Sequence, residues 1–222
     1  MSAHRTPVSH TVAQAAPRRR KQADRTAESR ERLISAAIEL LGEKGYSRTT
    51  LVEIGQRAGL SRGLVTFHFG SKEQCMLAVV DAIRSNVQAA LESASSSVRG
   101  LEALDLFIDK YLMTEEPTSS TSIRAMYVII IESVTSSPGL REAVAENNAV
   151  FRQMLANRIA QAREDGEIVL NDSADDLATF IEGLLRGVLI QCLADPDAID
   201  LRRIADLTKS ILRSYLRTTM QS

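Results

Sequence analysis

The chain reads as an all-α protein of about nine helices, an N-terminal three-helix helix-turn-helix unit followed by a larger helical body. Three observations carry this. Among 222 residues only five are Pro and eleven Gly, while Ala, Leu, Arg and Glu abound, a composition that favours helix. Apolar residues recur at helical spacing along most of the chain, with no sustained alternation of period two. Two short helical patterns in residues 51–72 are hinged by Ala58-Gly59-Leu60-Ser61, the spacing of a helix-turn-helix.

Residues 1–24 mix Ser, Thr, Pro, Ala and Gln with the run Arg18-Arg19-Arg20-Lys21 and read as a disordered basic arm. It either tracks phosphates and enters a minor groove or is a solvated tail. In residues 26–44, Leu33, Ala36, Ala37, Leu40 and Leu41 share a stripe, and Gly45 ends the helix. Thr50 and Glu53 form a capping box for the next helix. Gly59 suits a left-handed helix end, Leu60 plugs the corner, and Ser61 caps the second helix of the pair. Ser71-Lys72-Glu73-Gln74 opens a helix expected to run to about Ser97. Leu101, Leu104, Ile108 and Leu112 mark a helix over 101–113, and Glu115-Glu116-Pro117 breaks the chain.

Residues 121–134 resume as a helix whose apolar middle, 126–131, predicts burial; the β-branched run 129–131 competes for strand, but its flanks are helical. Ser137-Pro138 stops that helix and starts another, running to Gly166. Asp172 and Ser173 cap a helix over 174–193, and Asp195-Pro196 starts the last, to about Arg217. The domain division expected is arm 1–24, helix-turn-helix unit 25–72 and body 73–222.

The net charge of −1 conceals an asymmetry. Residues 1–72 carry 13 Lys and Arg against 6 Asp and Glu, a net +7, whereas residues 73–222 carry 14 against 22, a net −8. A cationic head on an anionic body is what a phosphate-binding module attached to a non-DNA domain requires. Cys75 and Cys192 show no CxxC spacing, so a reducing cytosol is expected, with no structural metal or disulfide framework. No long uncharged apolar stretch or export signal is present, the best segment, 183–194, containing Arg186; membrane insertion is not expected. Of three histidines, His4 and His10 fall in the arm and His68 in the second short helix. Phosphate-loop, zinc-protease and nucleophile-elbow patterns are missing, so no enzyme and no cofactor are expected.

At about 100° per residue, Val65 centred on the inward face brings Phe69 to its side and turns Gly63 and Phe67 away, flanked by Leu64 and Thr66. An outward Gly beside an outward Phe suits a major groove: the Gly lets the backbone approach, and the Phe meets a thymine methyl or a sugar edge. Arg62 reaches a guanine edge or a phosphate. His68 lies sideways, either on a phosphate or packed between helices. Lys72 adds charge near a helix N-terminus.

The stretch 27–83, with Glu43-Lys44-Gly45-Tyr46, Thr49-Thr50-Leu51, Ile54, Ala58-Gly59-Leu60-Ser61, Gly63, His68-Phe69 and Ser71-Lys72-Glu73, resembles the TetR family of bacterial transcriptional regulators. The resemblance implies three DNA-binding helices and a body that holds a small-molecule pocket and dimerises through its last two helices. By position in the family motif it implies DNA contacts from Thr49, Thr50, Arg62, Gly63, Leu64, Thr66, Phe67, His68 and Lys72. Thr66 departs from the family, which usually has Tyr there. Beyond residue 90, residues 132–140, Asp165-Gly166-Glu167 and residues 183–196 are similar to the choline–betaine repressor branch.

Apolar stripes mark both final helices: Leu177, Phe180, Ile181, Leu184, Leu185, Val188 and Leu189 in one, Ile204, Leu207, Ile211, Leu212 and Tyr215 in the other. They either close their own core or, as the resemblance implies, build a four-helix homodimer interface. Phe107, Tyr111, Tyr127, Ile130, Phe151, Met154, Phe180 and Leu184 are candidates to line a pocket for a mostly apolar effector, the alternative for each being plain core. The expected function is a cytoplasmic, ligand-responsive regulator, a repressor that binds a palindromic operator in double-stranded DNA as a homodimer. The rivals are a DNA-bound scaffold without a small ligand and an enzyme.

Overall fold

The computed structural model describes residues 17–95, 97–113, 120–169 and 172–218. Nine α-helices carry them: α1 Pro17–Arg48, α2 Leu51–Arg57, α3 Arg62–Phe69, α4 Lys72–Ala94, α5 Gly100–Met113, α6 Thr121–Thr135, α7 Arg141–Glu164, α8 Ala174–Ala194 and α9 Leu201–Thr218. Short 3₁₀ turns, Pro138–Leu140 and Pro196–Ala198, precede α7 and α9. No strand occurs among the described residues, and 129–131 is helical like its flanks.

The caps are those the sequence implies. The Thr50 hydroxyl accepts from the Glu53 N–H while the Glu53 carboxylate accepts from the Thr50 N–H. Ser61, Ser71 and Ser173 each accept a free N–H at the start of α3, α4 and α8. Gly59 has φ 65°, the left-handed conformation that costs Gly least. Gly45 breaks the helical path of α1 at φ 80°, ψ 176°. One expectation is corrected. Residues 17–24, assigned to a disordered arm, are the first turns of α1. Pro is tolerated in a first helical turn, and the Arg, Lys, Gln and Ala that follow propagate helix readily. The rest of the arm, residues 1–16, lies outside the described residues, as does the expected break at 115–117.

Packing does not divide at residue 72. One core joins α1, α2, α3 and the first half of α4 to Ala125 and Ile129 of α6, Leu140 of the 3₁₀ turn before α7 and Val144 of α7. The other joins the end of α4 to α5, α7, α8 and α9. Helix α6 therefore belongs with the head, and α1–α6 is the most extensive helix pairing. Gly42 makes it possible: a Cβ there would lie 2.8 Å from the Thr121 carbonyl oxygen.

The apolar stripes of the last two helices split into two faces. On α8, Leu177, Ile181, Leu185 and Leu189 are buried in the body core, while Phe180 and Ile190 are exposed. On α9, Ala205, Leu212 and Leu216 point inward and Leu207, Ile211 and Tyr215 outward. Helix α8 is long and apolar enough to cross a membrane, with a mean hydropathy of 1.6. Its inward residues instead make it a core helix of the body.

Replacing Gly42 decides whether the α1–α6 approach is tight. At an unconstrained helical site Gly→Ala stabilises by roughly 0.5–1 kcal/mol. Gly42→Ala is expected to destabilise by about 1–3 kcal/mol, read from denaturant unfolding, because the obstructing atoms are backbone.

Candidate nucleic-acid interface

Three contacts set the position of α3. Val65, fully buried, and Phe69, 8% exposed, anchor it in the head core. Gly55 of α2 lies under it, where a Cβ would meet Val65 Cγ2 at 3.0 Å and the Leu60 carbonyl oxygen at 3.1 Å. The Arg30 guanidinium stands 5.6 Å from the centre of the Phe69 ring. The opposite face is open: Phe67 is 74% exposed, and a Cβ on Gly63 would have only Ser61 Oγ, at 3.7 Å, as a neighbour. Arg62 and Thr66 are exposed, and Leu64 is half-buried. Arg62 makes no ion pair among the described residues.

Electrostatic ties hold α2 against α1. Arg57 forks onto Glu39 at 3.0 Å and Glu43 at 2.8 Å of α1, and its hydrogen bond holds the Glu43 carboxyl below its usual range. Lys44 reaches Glu53 at 2.5 Å. Arg32 donates to the Ala58 carbonyl at 2.5 Å, closing the end of α2. The sequence reading missed Gly55, Arg32 and Arg57. Glu39 and Glu43, one helical turn apart on α1, were the available signal for Arg57.

Two residues of the predicted contact set turn inward, and His68 takes one of its two expected positions. Thr49 is buried and its hydroxyl donates to the Gly45 carbonyl at 2.8 Å; the left-handed break at Gly45 leaves that carbonyl without a helical donor. Its side chain is withdrawn from the surface. Lys72 is half-buried, with Nζ donating to the Tyr46 carbonyl at 2.6 Å and 4.0 Å from the centre of the Tyr46 ring. Burial lowers its pKa. The lysine fastens α4 to the last turn of α1 more than it projects. His68 packs between Phe67 and Phe69, ring centres 5.3 and 6.0 Å away, with Nε2 enclosed and unpartnered; of its two expected roles this is the packed one. Thr50 is exposed, its hydroxyl engaged in the cap. What remains on one open face of α3 is Arg62, Gly63, Thr66 and Phe67, with Leu64 at its edge.

Of the eight pocket candidates, six meet in the body. Phe107 stacks on Tyr111 with centres 6.0 Å apart, and Tyr111 meets Phe151 edge-on at 6.0 Å. Met154 is buried in the same core, with Tyr127 and Leu184 packed against it. The Tyr127 hydroxyl donates to the Arg186 carbonyl at 2.9 Å. Two candidates fall elsewhere. Ile130 packs on the head core, because α6 faces α1 with that side. Phe180 is 59% exposed, since its neighbour Ile181 takes the inward position on α8.

Residues 33–79 match the family described as bacterial regulatory proteins, tetR family, and residues 100–217 match the BetI-type transcriptional repressor C-terminal family. The chain is 26% identical over 201 residues to the HTH-type transcriptional regulator CymR of Pseudomonas putida, covering 89% of this chain and 95% of that protein. Among solved structures, a transcriptional regulator of Saccharomonospora viridis in complex with choline is similar with a TM-score of 0.71 and 19% identity, over 84% of this chain and 96% of that one. The regulator FadR of Bacillus subtilis in complex with stearoyl-CoA also scores 0.71 at 19% identity, over 83% and 97%.

Two measurements check the interface geometry. Phe67→Ala is expected to change stability by less than about 0.5 kcal/mol, whereas Phe69→Ala costs about 3 kcal/mol or more, both by denaturant unfolding. Hydrogen bonds from Lys44 and then Thr50 hold the Glu53 carboxyl down to about 2 from an ordinary 4.5. A depressed carboxyl stabilises the fold above its unfolded pKa and loses that contribution as pH falls through the folded value. Between pH 4.5 and about 2 the wild-type chain therefore loses stability that Glu53→Gln lacks at every pH. Parallel thermal unfolding curves for the two proteins across that range would contradict it.

Proposed function

The chain belongs to the TetR family of bacterial transcriptional regulators, and from that premise we propose that it is a ligand-responsive repressor acting as a homodimer on a near-palindromic operator. The observation that carries the reading is the face of α3. Phe67 is 74% exposed beside an open Gly63, while Val65 and Phe69, two residues on either side of it, are held in the core. A large apolar side chain turned to solvent on so short a helix is costly for a free surface and useful in a major groove. There the Gly lets the backbone come close and the Phe meets a thymine methyl. Arg62 reads a guanine edge, and Thr66 and Thr50 reach phosphates.

A second copy of the chain supplies the other half-site. Leu207, Ile211 and Tyr215 of α9 and Phe180 and Ile190 of α8 form the outward apolar surface that pairs across a two-fold axis in a four-helix bundle. Such a dimer sets its recognition helices about 34–36 Å apart, one turn of the duplex. The aromatic core around Phe107, Tyr111 and Phe151 takes a small effector that favours a different spacing. Binding that spacing about 2.7 kcal/mol better weakens operator affinity 100-fold. Related folds hold ligands as unlike as choline and stearoyl-CoA, so the lining decides the effector.

Selection of bound duplexes from a random pool, with the purified protein, tests the reading. Enrichment of a two-fold symmetric sequence supports it, and no enrichment over competitor sinks it. On the selected operator, Arg62→Ala is expected to relax preference at one guanine by about 1–3 kcal/mol. A uniform loss on all sequences, with the salt slope reduced by about 1, would make Arg62 a phosphate contact instead.

A further inference from the structure

Helix α8 carries a charge pair where an apolar helix should have none. Glu182 is 5% exposed, the one buried carboxylate among the described residues. Its Oε1 lies 2.9 Å from Arg186 Nη2, and its Oε2 3.5 Å from Arg152 Nη1. The first contact is off the hydrogen-bonding direction: Glu182 Oε1 and Arg186 Nε are both enclosed without a hydrogen-bond partner. A salt bridge that merely fastened α7 to α8 would satisfy these atoms, because buried polar groups left unpaired are expensive.

The same place is ringed by aromatics. Burial raises the Tyr111 pKa, and the charge of Arg186 nearby opposes that rise; Tyr111 belongs to the stack with Phe107 and Phe151. At the far end of that stack, the Arg158 guanidinium sits 5.2 Å from the Phe107 ring centre, its Nε enclosed and unpartnered. Its acidic neighbour, Glu92, is exposed. Arg186 and Arg158 thus face this core, with Arg152 at its more exposed edge, against one buried carboxylate. Burial also pushes the Glu182 carboxyl up, which makes the negative charge there still harder to keep.

Aromatic faces alone would suit a cation. A surplus of full positive charges at close range outweighs ring quadrupoles in a desolvated site. We propose that the body binds an organic anion, an apolar or aromatic molecule ending in a carboxylate or phosphate-like group. The anionic end lies against Arg186, Arg152 and the Tyr111 hydroxyl, and the apolar part lies along Phe107, Phe151 and Tyr127. This rests on the effector-binding reading above and names the chemical class of the effector. The ligand's oxygens supply the acceptor that Arg186 Nε lacks, and Glu182 holds the guanidinium in place as a positioning residue.

Four matched probes test it by titration calorimetry on the full-length protein: 4-phenylbutyrate, 4-phenylbutylphosphonate, 4-phenylbutanol and 4-phenylbutylamine. At least one anion is expected to bind ten-fold more tightly than the alcohol, with the amine weakest, and the tighter anion tells carboxylate from phosphate-like recognition. Arg186→Gln is expected to weaken the anion ten-fold and leave the alcohol unchanged. Should that variant fail to fold, Arg152→Gln, at the more exposed edge, carries the same expectation at about five-fold. An amine that binds as well as the anions, or a folded variant that leaves anion affinity intact, overturns the proposal. Four probes of equal affinity would end the anionic class alone and leave the effector reading standing. No binding of any probe by protein that still recognises its operator would end both.

Discussion

Gly42 lets the backbone of α1 come against the first residue of α6, and from that approach follows the continuity between the DNA-facing unit and the rest of the chain. With a side chain at residue 42 the two backbones would have to separate, because the obstacle is the Thr121 carbonyl. Without the close approach, Ala125 and Ile129 would not complete the core that holds Leu33, Leu40, Ile54 and Val65. The head is thus closed by a helix contributed from the body. The other face of α6 presents Tyr127 to the body core, so one rigid helix touches both the element that carries α3 and the aromatic cluster. A two-state shift of such a helix would couple those sites without needing a longer path.

Within the head, opposed faces of one short helix do two jobs. Eight residues of α3 are too few to be stable alone, so the helix depends on Val65 and Phe69 beneath it and on Gly55 crossing close. The ion pairs of Arg57 are exposed and that of Lys44 is only half-buried, and pairs near the surface add little stability. Their value is geometric, since they fix α2 against α1 and so aim α3. The open face of Arg62, Gly63, Thr66 and Phe67 is then carried on a preorganised frame, the condition for reading base edges rather than only tracking phosphates.

Helix α8 serves three purposes at one turn's remove from each other. Leu177, Ile181, Leu185 and Leu189 close the body, Phe180 and Ile190 stay outside, and Glu182 with Arg186 places charge between those surfaces. An arrangement of this kind puts the pair proposed to hold the anion on the same helix that presents the proposed dimer surface. A change at Arg186 would therefore be felt by the outward stripe of α8, and by α9 through the body core that both helices share.

Periodicity and caps made the helices legible. Thr50, Ser61, Ser71 and Ser173 announce helix starts through local hydrogen bonds that need no distant partner, and Gly59 announces a turn through its own φ. The outward direction of Phe67 followed from 100° per residue once Val65 was placed inside. Other features depend on atoms far away in sequence. Thr49 and Lys72 turn inward because Gly45 and Tyr46 offer them carbonyls. Ile130 joins the head core, and Phe180 faces out although it shares a stripe with buried neighbours. The partners of Arg186 come from α6 and its own helix, and α7 sends Arg152 to the same Glu182. Local rules determine where the backbone turns and which stripe is apolar. Which apolar stripe finds a neighbour, and which charge finds an opposite, is settled only when helices distant in the chain come within a few ångströms of each other.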